Sequence, residues 1–343
     1  MKLPNIEFAP LNVPLQRRLQ TLAMTASIVN HVFCCFTSYG LVYYFIFHTK
    51  LWWLCSLYLM WCFFIDTDPR KGSNRRSKWI RRWAWWKYVT NYFPVKLIKG
   101  FEGDLDARRN YLFCYFPHGL LSHGATVAFA SDHAGVDKCF PNHTIYGHTL
   151  SFTFSLPFIR DLAFGLGGLP SSRECLDYIV GKSGGGNISC LVVGGAEESF
   201  YCEAGVHKIV LKNRKGFIKI ALRNGCPLVP VYGFGENEIF GQYKFKEGTF
   251  MWKFQRFFKR VTGCAFIIAK GRGVFQYSFG ILPHRRPITV VVGEPIDVEK
   301  TENPTQEQID NLHQLFEKKL VELFESQKKH YLKDYENAHL EII

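Results

Sequence analysis

Apolar positions along this chain fall into two regimes. From Leu19 to Phe47 there is no Asp, Glu, Lys or Arg, and after His48-Thr49-Lys50 a second uncharged run, LWWLCSLYLMWCFFI, fills 51–65. A helix crosses a bilayer core with ~20 apolar residues, so the first run predicts a membrane span and the pair predicts a transmembrane helical hairpin over 19–65. The second run is short for a full crossing and needs snorkelling ends or a thin bilayer. A core hairpin of a soluble protein is the alternative. Arg17 and Arg18 precede the hairpin, Arg70, Lys71, Arg75 and Arg76 follow it, and only Lys50 lies between. The positive-inside rule then puts both ends in the cytosol, with 1–18 as a cytosolic N-terminal tail. A cleaved signal peptide fits poorly, because the apolar region is too long and no small-residue cleavage site stands out.

Residues 66–99 form a basic, Trp-rich segment. Read as one helix, KWIRRWAWWKYV sets Trp79, Trp83 and Trp86 on one face beside Lys78, Arg81 and Arg82. That composition suits the headgroup layer. A surface helix packing its tryptophans on a domain is the plainer reading.

Beyond about Gly100 the pattern changes. Short apolar runs, YLFCYF, ISCLVVGG, PLVPVYGFG and ITVVVGEPI, are bounded by Gly and Pro and predict buried strands. Between two of them RKGFIKIALRNG has helical spacing, with Gly225 as a stop signal. Strands alternating with helices predict an α/β domain with a parallel or mixed sheet over 100–343. Its end, Thr305 to Tyr331, is an amphipathic helix with Ile309, Leu312, Phe316, Leu320, Leu323 and Phe324 on its apolar stripe.

Composition narrows the partners. The net charge is +13 and aromatics make up 16% of 343 residues. A basic surface attracts polyanions, and the aromatic excess favours lipid or a phosphorylated co-substrate over nucleic acid, for which no fold signature occurs. The 11 cysteines include no CxxC pair; reduced thiols facing the cytosol are expected, with no metal site. The sequons at Asn142 and Asn187 would go unused there.

Several motifs fail. There is no G-x-S-x-G, GKSGGG lacks the first glycine of a phosphate loop, and no dinucleotide fingerprint is complete. What stands out is Tyr115-Phe116-Pro117-His118-Gly119 at the end of a strand-like run. An imidazole held in a set turn at the edge of an apolar stretch can take a proton from an alcohol. It can equally be a hydrogen-bonded core histidine. Cys114 offers an acyl-enzyme route, although a buried packing thiol is the simpler reading.

The segment around His118 resembles the type 2 diacylglycerol acyltransferase family, which also includes monoacylglycerol and wax-alcohol acyltransferases and carries Tyr-x-Pro-His-Gly. Further matches follow in family order: LPFIRD at 156–161, SSR at 171–173, GGGN at 184–187, VVGGAEES at 192–199, RKGFIKIALRNG at 214–225, LVPVYGFGENE at 228–238, PITVVVGEPI at 287–296 and PTQEQIDNLHQLF at 304–316. The likeness covers about 100–343, and the hairpin agrees with the family's topology. One departure is Phe116, where the family usually has a histidine. Phospholipid-type glycerol acyltransferases resemble it less: their His-x-x-x-x-Asp would place Asp where His123 stands.

The resemblance implies acyl-CoA-dependent O-acylation of an acylglycerol hydroxyl, first of all diacylglycerol to triacylglycerol, with monoacylglycerol or a wax alcohol as alternatives. His118 would be the general base, and Glu198 would orient it or steady its imidazolium, unless Glu198 merely caps a helix. Backbone amides around Gly119 or Gly194 and Gly195 would meet the oxyanion. Arg214, Lys215 and Lys219 would bind coenzyme A phosphates or form a solvated basic face. Pro117, Arg173 and Asn187 join the substrate-binding set, as do Glu236 and Asn237, for which turn stabilisation is the competing role. No bound cofactor is expected, acyl-CoA being a co-substrate. Expected partners are acylglycerol in the bilayer, membrane lipid and a second copy of the chain in a homo-oligomer, with no nucleic acid. The expected location is the endoplasmic reticulum membrane, multi-pass with the active domain facing the cytosol, and the lipid droplet. A non-catalytic neutral-lipid-binding hairpin protein is the reading of another class, kept open by Phe116.

Overall fold

A computed structural model describes residues 6–343. The uncharged N-terminal stretch forms α1 (Leu15–Val32), α2 (Cys34–His48) and α3 (Trp52–Met60), the last running on through a wider turn at Trp61–Ile65. The chain bends by 87° between α1 and α2. Among the described residues no single helix is both long and apolar enough to cross a membrane. By length and composition α1 and α2 could cross only together, as a bent pair, and Trp52–Ile65 is a shorter apolar helix; within 19–65, α2 and α3 pack on each other as a helical hairpin. At 1.5 Å rise per residue each leg is ~21–23 Å long, short of the ~30 Å hydrocarbon core.

α1 also packs on the domain. Its Ala23, Met24 and Ile28 are buried in the main core together with Val89 and Tyr92, and Ser27 Oγ accepts from Trp85 Nε1 at 3.2 Å. α1 is therefore a wall of the domain on its inner side. The α2–α3 legs stay bare: Phe36, Phe47, Trp52, Phe64 and Ile65 are among the most exposed apolar side chains.

The Trp-rich segment is two helices, α4 (Lys78–Arg81) and α5 (Ala84–Tyr92). The break follows from Arg81, which is fully buried. Its guanidinium bonds Asp132 and the Leu166 carbonyl, each at 2.7 Å. Trp83 is consequently extended, and the single three-tryptophan face is lost.

β1 (Lys96–Lys99), β2 (Tyr111–Phe116), α6 (His123–Ala130), α7 (Val136–Cys139), β3 (Thr144–Thr149), α8 (Ile159–Gly165), β4 (Gly168–Pro170), α9 (Arg173–Val180) and β5 (Asn187–Val192) follow. Then come α10 (Gly195–Glu198), β6 (Lys208–Ile209), α11 (Gly216–Asn224), β7 (Leu228–Phe234), β8 (Gly241–Gln242), α12 (Phe250–Thr262), β9 (Ala269–Lys270), β10 (Thr289–Val292), α13 (Gln306–Tyr331) and β11 (Glu341–Ile342). The main sheet has seven strands in the order β1-β10-β7-β2-β5-β3-β4. It is mixed, since β10 runs antiparallel to β7 and the other pairs are parallel. β1 and α5 belong to this domain, so it begins before residue 100.

Every residue of β2 is buried, which explains its unbroken apolar run. Phe113 and Tyr115 face the core that holds α1 and α6. Leu112, Cys114 and Phe116 face the opposite core under α11 and α13. α11 stops at Gly225, which has a left-handed φ of 61°. α13 starts with a capping box in which Thr305 and Gln308 exchange hydrogen bonds.

The LPFIRD stretch lashes the hairpin to the domain. Arg160 donates to the Cys62 carbonyl at 2.9 Å and to Asp66 Oδ2 at 2.5 Å. Arg75 also pairs with Asp66, and Tyr58 of α3 bonds Asp161.

Candidate active site

Parallel strands end at one edge of the sheet, so the loops after neighbouring strands meet there. β2 pairs with β5 in the register Tyr115 with Val192. The loop after β2 carries His118, and the turn after β5 carries Gly194 to Ser199. Two segments some eighty positions apart are thus brought into contact.

Glu198 is 1% exposed. One carboxylate oxygen accepts the His118 backbone N–H at 2.7 Å and the other accepts the Val210 N–H at 2.8 Å. The carboxylate holds the His118 main chain and does not orient the ring, which corrects the expected triad-like pairing. Burial pushes the Glu198 carboxyl up to about 8, against the opposing pull of the two N–H donors and Arg214.

The ring is oriented by Ser199, a residue that sequence reasoning missed although the VVGGAEES match contains it. Ser199 Oγ lies 2.9 Å from His118 Nδ1, and the Gly119 carbonyl lies 3.2 Å from the same nitrogen. A carbonyl only accepts, so Nδ1 carries the proton. Ser199 can then accept from Nδ1 while its own hydroxyl reaches toward the Leu120 carbonyl at 3.5 Å. This tautomer leaves Nε2 as the unprotonated nitrogen. Burial pulls the His118 pKa down to about 4, which keeps the imidazole neutral at physiological pH.

Glu236 is fully buried. It accepts from Tyr115 OH at 2.9 Å and from the His123 and Gly124 amides at 2.8 and 2.7 Å. It therefore caps α6 and closes the loop after His118. Gly119 has φ +58°, and a Cβ there would come 2.7 Å from Glu236 Cγ, so only glycine fits. Asn237 is buried and donates to the Val206 carbonyl at 2.8 Å. Both residues make turn-stabilising hydrogen bonds.

The remaining expected residues scatter. Pro117 is buried beside His118. Gly194 packs against the Glu198 carboxylate, where a Cβ would collide, whereas Gly195 faces open space. Arg214 is exposed and reaches the Gly194 carbonyl at 3.2 Å, which brings a cation beside the His118 loop. Lys215 is tied to Asp310 at 2.6 Å and Lys219 faces solvent. Arg173 follows β4, three strands from β2 along the same edge, about 14 Å away at the usual strand spacing. Asn187 opens β5 at the opposite edge, where it bonds Asn110 Oδ1 at 2.8 Å; it is a scaffold residue. Phe116 is 0% exposed, its ring 6.3 Å from that of Phe316 on α13. It lies in the core and does not wall the site. Cys114 is buried on the same side, and burial pushes its thiol well above the ordinary range, which removes the acyl-enzyme route. Among the described residues no group of His, Cys, Asp and Glu could hold a metal ion.

A family model described as diacylglycerol acyltransferase matches residues 44–342. The 2-acylglycerol O-acyltransferase 1 of Bos taurus is 42% identical over 326 residues, covering 95% of this chain and 96% of that protein. Diacylglycerol O-acyltransferase 2 of Dictyostelium discoideum is 40% identical over 323 residues, covering 94% and 96% respectively. The human diacylglycerol O-acyltransferase 2 is 40% identical over 315 residues, covering 92% and 80%. Among solved structures, the 1-acyl-sn-glycerophosphate acyltransferase of Thermotoga maritima aligns with a TM-score of 0.42 at 12% identity, covering 93% of this chain and 99% of that one.

Proposed function

We infer the mechanism from one premise: this chain belongs to the diacylglycerol acyltransferase family and is an acylglycerol O-acyltransferase. The observation that carries the mechanism is the His118 ring, with Nδ1 engaged by Ser199 and Gly119 and Nε2 left as a base. The acceptor hydroxyl gives its proton to Nε2 as its oxygen attacks the thioester carbonyl of acyl-CoA. A carbon–oxygen bond forms and the carbon–sulfur bond breaks. Coenzyme A leaves as a thiolate and takes the proton back from the imidazolium. Because burial disfavours the imidazolium, that return is driven. Amides at Gly119 and Gly195 are the proposed oxyanion donors, and Arg214 is the proposed phosphate contact. No bound cofactor enters the scheme.

Diacylglycerol is the first acceptor. The names of the 2-acylglycerol relatives favour 2-monoacylglycerol as a second reading. The bare α2–α3 hairpin would lie in the endoplasmic reticulum membrane or the droplet surface, with both ends and the catalytic domain on the cytosolic side. The basic residues flanking the hairpin support that orientation.

The test supplies microsomes expressing the chain with labelled acyl-CoA and, in turn, diacylglycerol, 2-monoacylglycerol or a long-chain alcohol. His118→Ala at equal abundance is the control. Product that vanishes in the control supports the base and identifies the acceptor. No product with any acceptor would overturn the mechanism and favour a lipid-binding hairpin protein.

A further inference from the structure

Outside the N-terminal helices, large exposed apolar side chains concentrate in one block, residues 243–281. Phe250 is 80% exposed, Phe257 63% and Val261 67% on α12, and Phe275 is 81% exposed in the loop beyond. None of these lies in the catalytic machinery, and the family resemblance does not account for them.

The helix is two-sided. At 100° per residue Phe250, Phe254, Phe257 and Val261 form one flank, and Lys253, Arg256, Lys259 and Arg260 form the other. The helix contains no acidic residue. Gln255 is the side chain it buries, donating to the Phe266 carbonyl at 2.8 Å. An apolar flank beside a cationic one is the arrangement of a helix lying in the headgroup layer.

Its position agrees. Ile267 and Ala269, just after α12, pack on the same core as Ala23, Met24 and Ile28 of α1. The loop that carries Phe275 is joined by a backbone bridge at Gln276 to Phe8, itself 71% exposed. The apolar block therefore lies beside α1 and the segment that precedes it, on the sheet face opposite α11 and α13.

The helix is also fastened to the site. Glu197 accepts from Arg256 at 2.5 Å and from Lys259. Glu197 directly precedes Glu198 and Ser199, which hold His118.

We propose that α12 is a second membrane contact, an in-plane helix that sets its Phe257 flank into a phospholipid surface and the exposed Lys253 and Arg260 against anionic headgroups, while Arg256 and Lys259, held by Glu197, fix the height of the His118 loop above the bilayer.

The test uses the full chain in nanodiscs. An environment-sensitive fluorescent amino acid replaces Phe257 in one preparation and Tyr335, an exposed aromatic on the other face, in a second. Lipids spin-labelled near the top of the acyl chain serve as quenchers. Quenching at position 257 should exceed that at 335 by about threefold and rise when phosphatidylserine is added to phosphatidylcholine. Equal quenching at both positions would overturn the proposal. So would a signal at 257 that ignores the quencher and follows protein concentration, which would assign the face to a second copy of the chain. The readout needs no turnover, so it stands apart from the acyl-transfer mechanism.

Discussion

Glu198 and His118 are joined through the backbone: the carboxylate accepts the histidine's amide N–H at 2.7 Å and leaves the ring to Ser199. Glu198 and Ser199 therefore make different contributions, and substitutions should separate them. Glu198→Gln must turn an NH2 group toward one of two N–H donors. A backbone N–H left unpaired in this buried site is expected to cost about 2 kcal/mol. Activity and thermal stability should fall together, measured as labelled product per folded molecule beside a melting curve.

Ser199→Ala removes one partner of the ring and leaves the Gly119 carbonyl in place. We expect kcat to fall about tenfold, less than the roughly hundredfold or more that loss of the base itself would cost, with the acyl-CoA KM and melting temperature little changed. Ser199→Thr should restore part of the rate. A fall in KM affinity without a change in kcat would remove Ser199 from the positioning of the base.

The pH profile follows from burial. His118 titrates near 4 in the fold, against 6.5 in the unfolded chain. Above 6.5 it is neutral in both states. As pH falls from 6.5 toward 4, the unfolded chain takes up a proton that the folded chain refuses, so stability contributed by neutral His118 is lost on that descent. The acid limb of kcat/KM should accordingly lie below 6.5, and His118→Ala should flatten the acid side of a plot of melting temperature against pH.

Gly119→Ala adds a Cβ where φ is +58° and Glu236 Cγ is 2.7 Å away. Strain and collision act together, and a cost of about 2 kcal/mol is expected. The Glu236 clamp on the His123 and Gly124 amides would shift with it. Activity should drop further than folding does, as read from specific activity of the soluble-folded fraction in detergent.

The hairpin anchor is open to the same approach. Arg160→Ala leaves Asp66 buried with Arg75 as its remaining partner, and removing half of a buried pair costs about 3–5 kcal/mol. Limited proteolysis should then cut between residues 60 and 80 at a rate well above wild type. A protease pattern identical to wild type would show that Arg160 does not hold the hairpin to the domain.

Much of this was legible from sequence. The bare apolar legs, β2 with its unbroken run, the mixed α/β domain, α11 ending at Gly225 and α13 with its Thr305 box are all written in residues within a few positions of one another. Hydrophobic period, capping and chain-stop signals act at that range. The family motifs likewise identified the chemistry and singled out His118.

The tertiary structure decided the rest. The alignment of β2 with β5 brings Glu198 and Ser199 to His118 and gives them different atoms to hold. Burial of Arg81 against Asp132 breaks the tryptophan helix, and the inner side of α1 packs against α5 as a wall of the domain. Phe116 stays clear of the site because strand alternation turns it under α13. Each outcome depends on which distant surface a residue meets, and that is set by strand order and register, not by the residue's own neighbours in the chain.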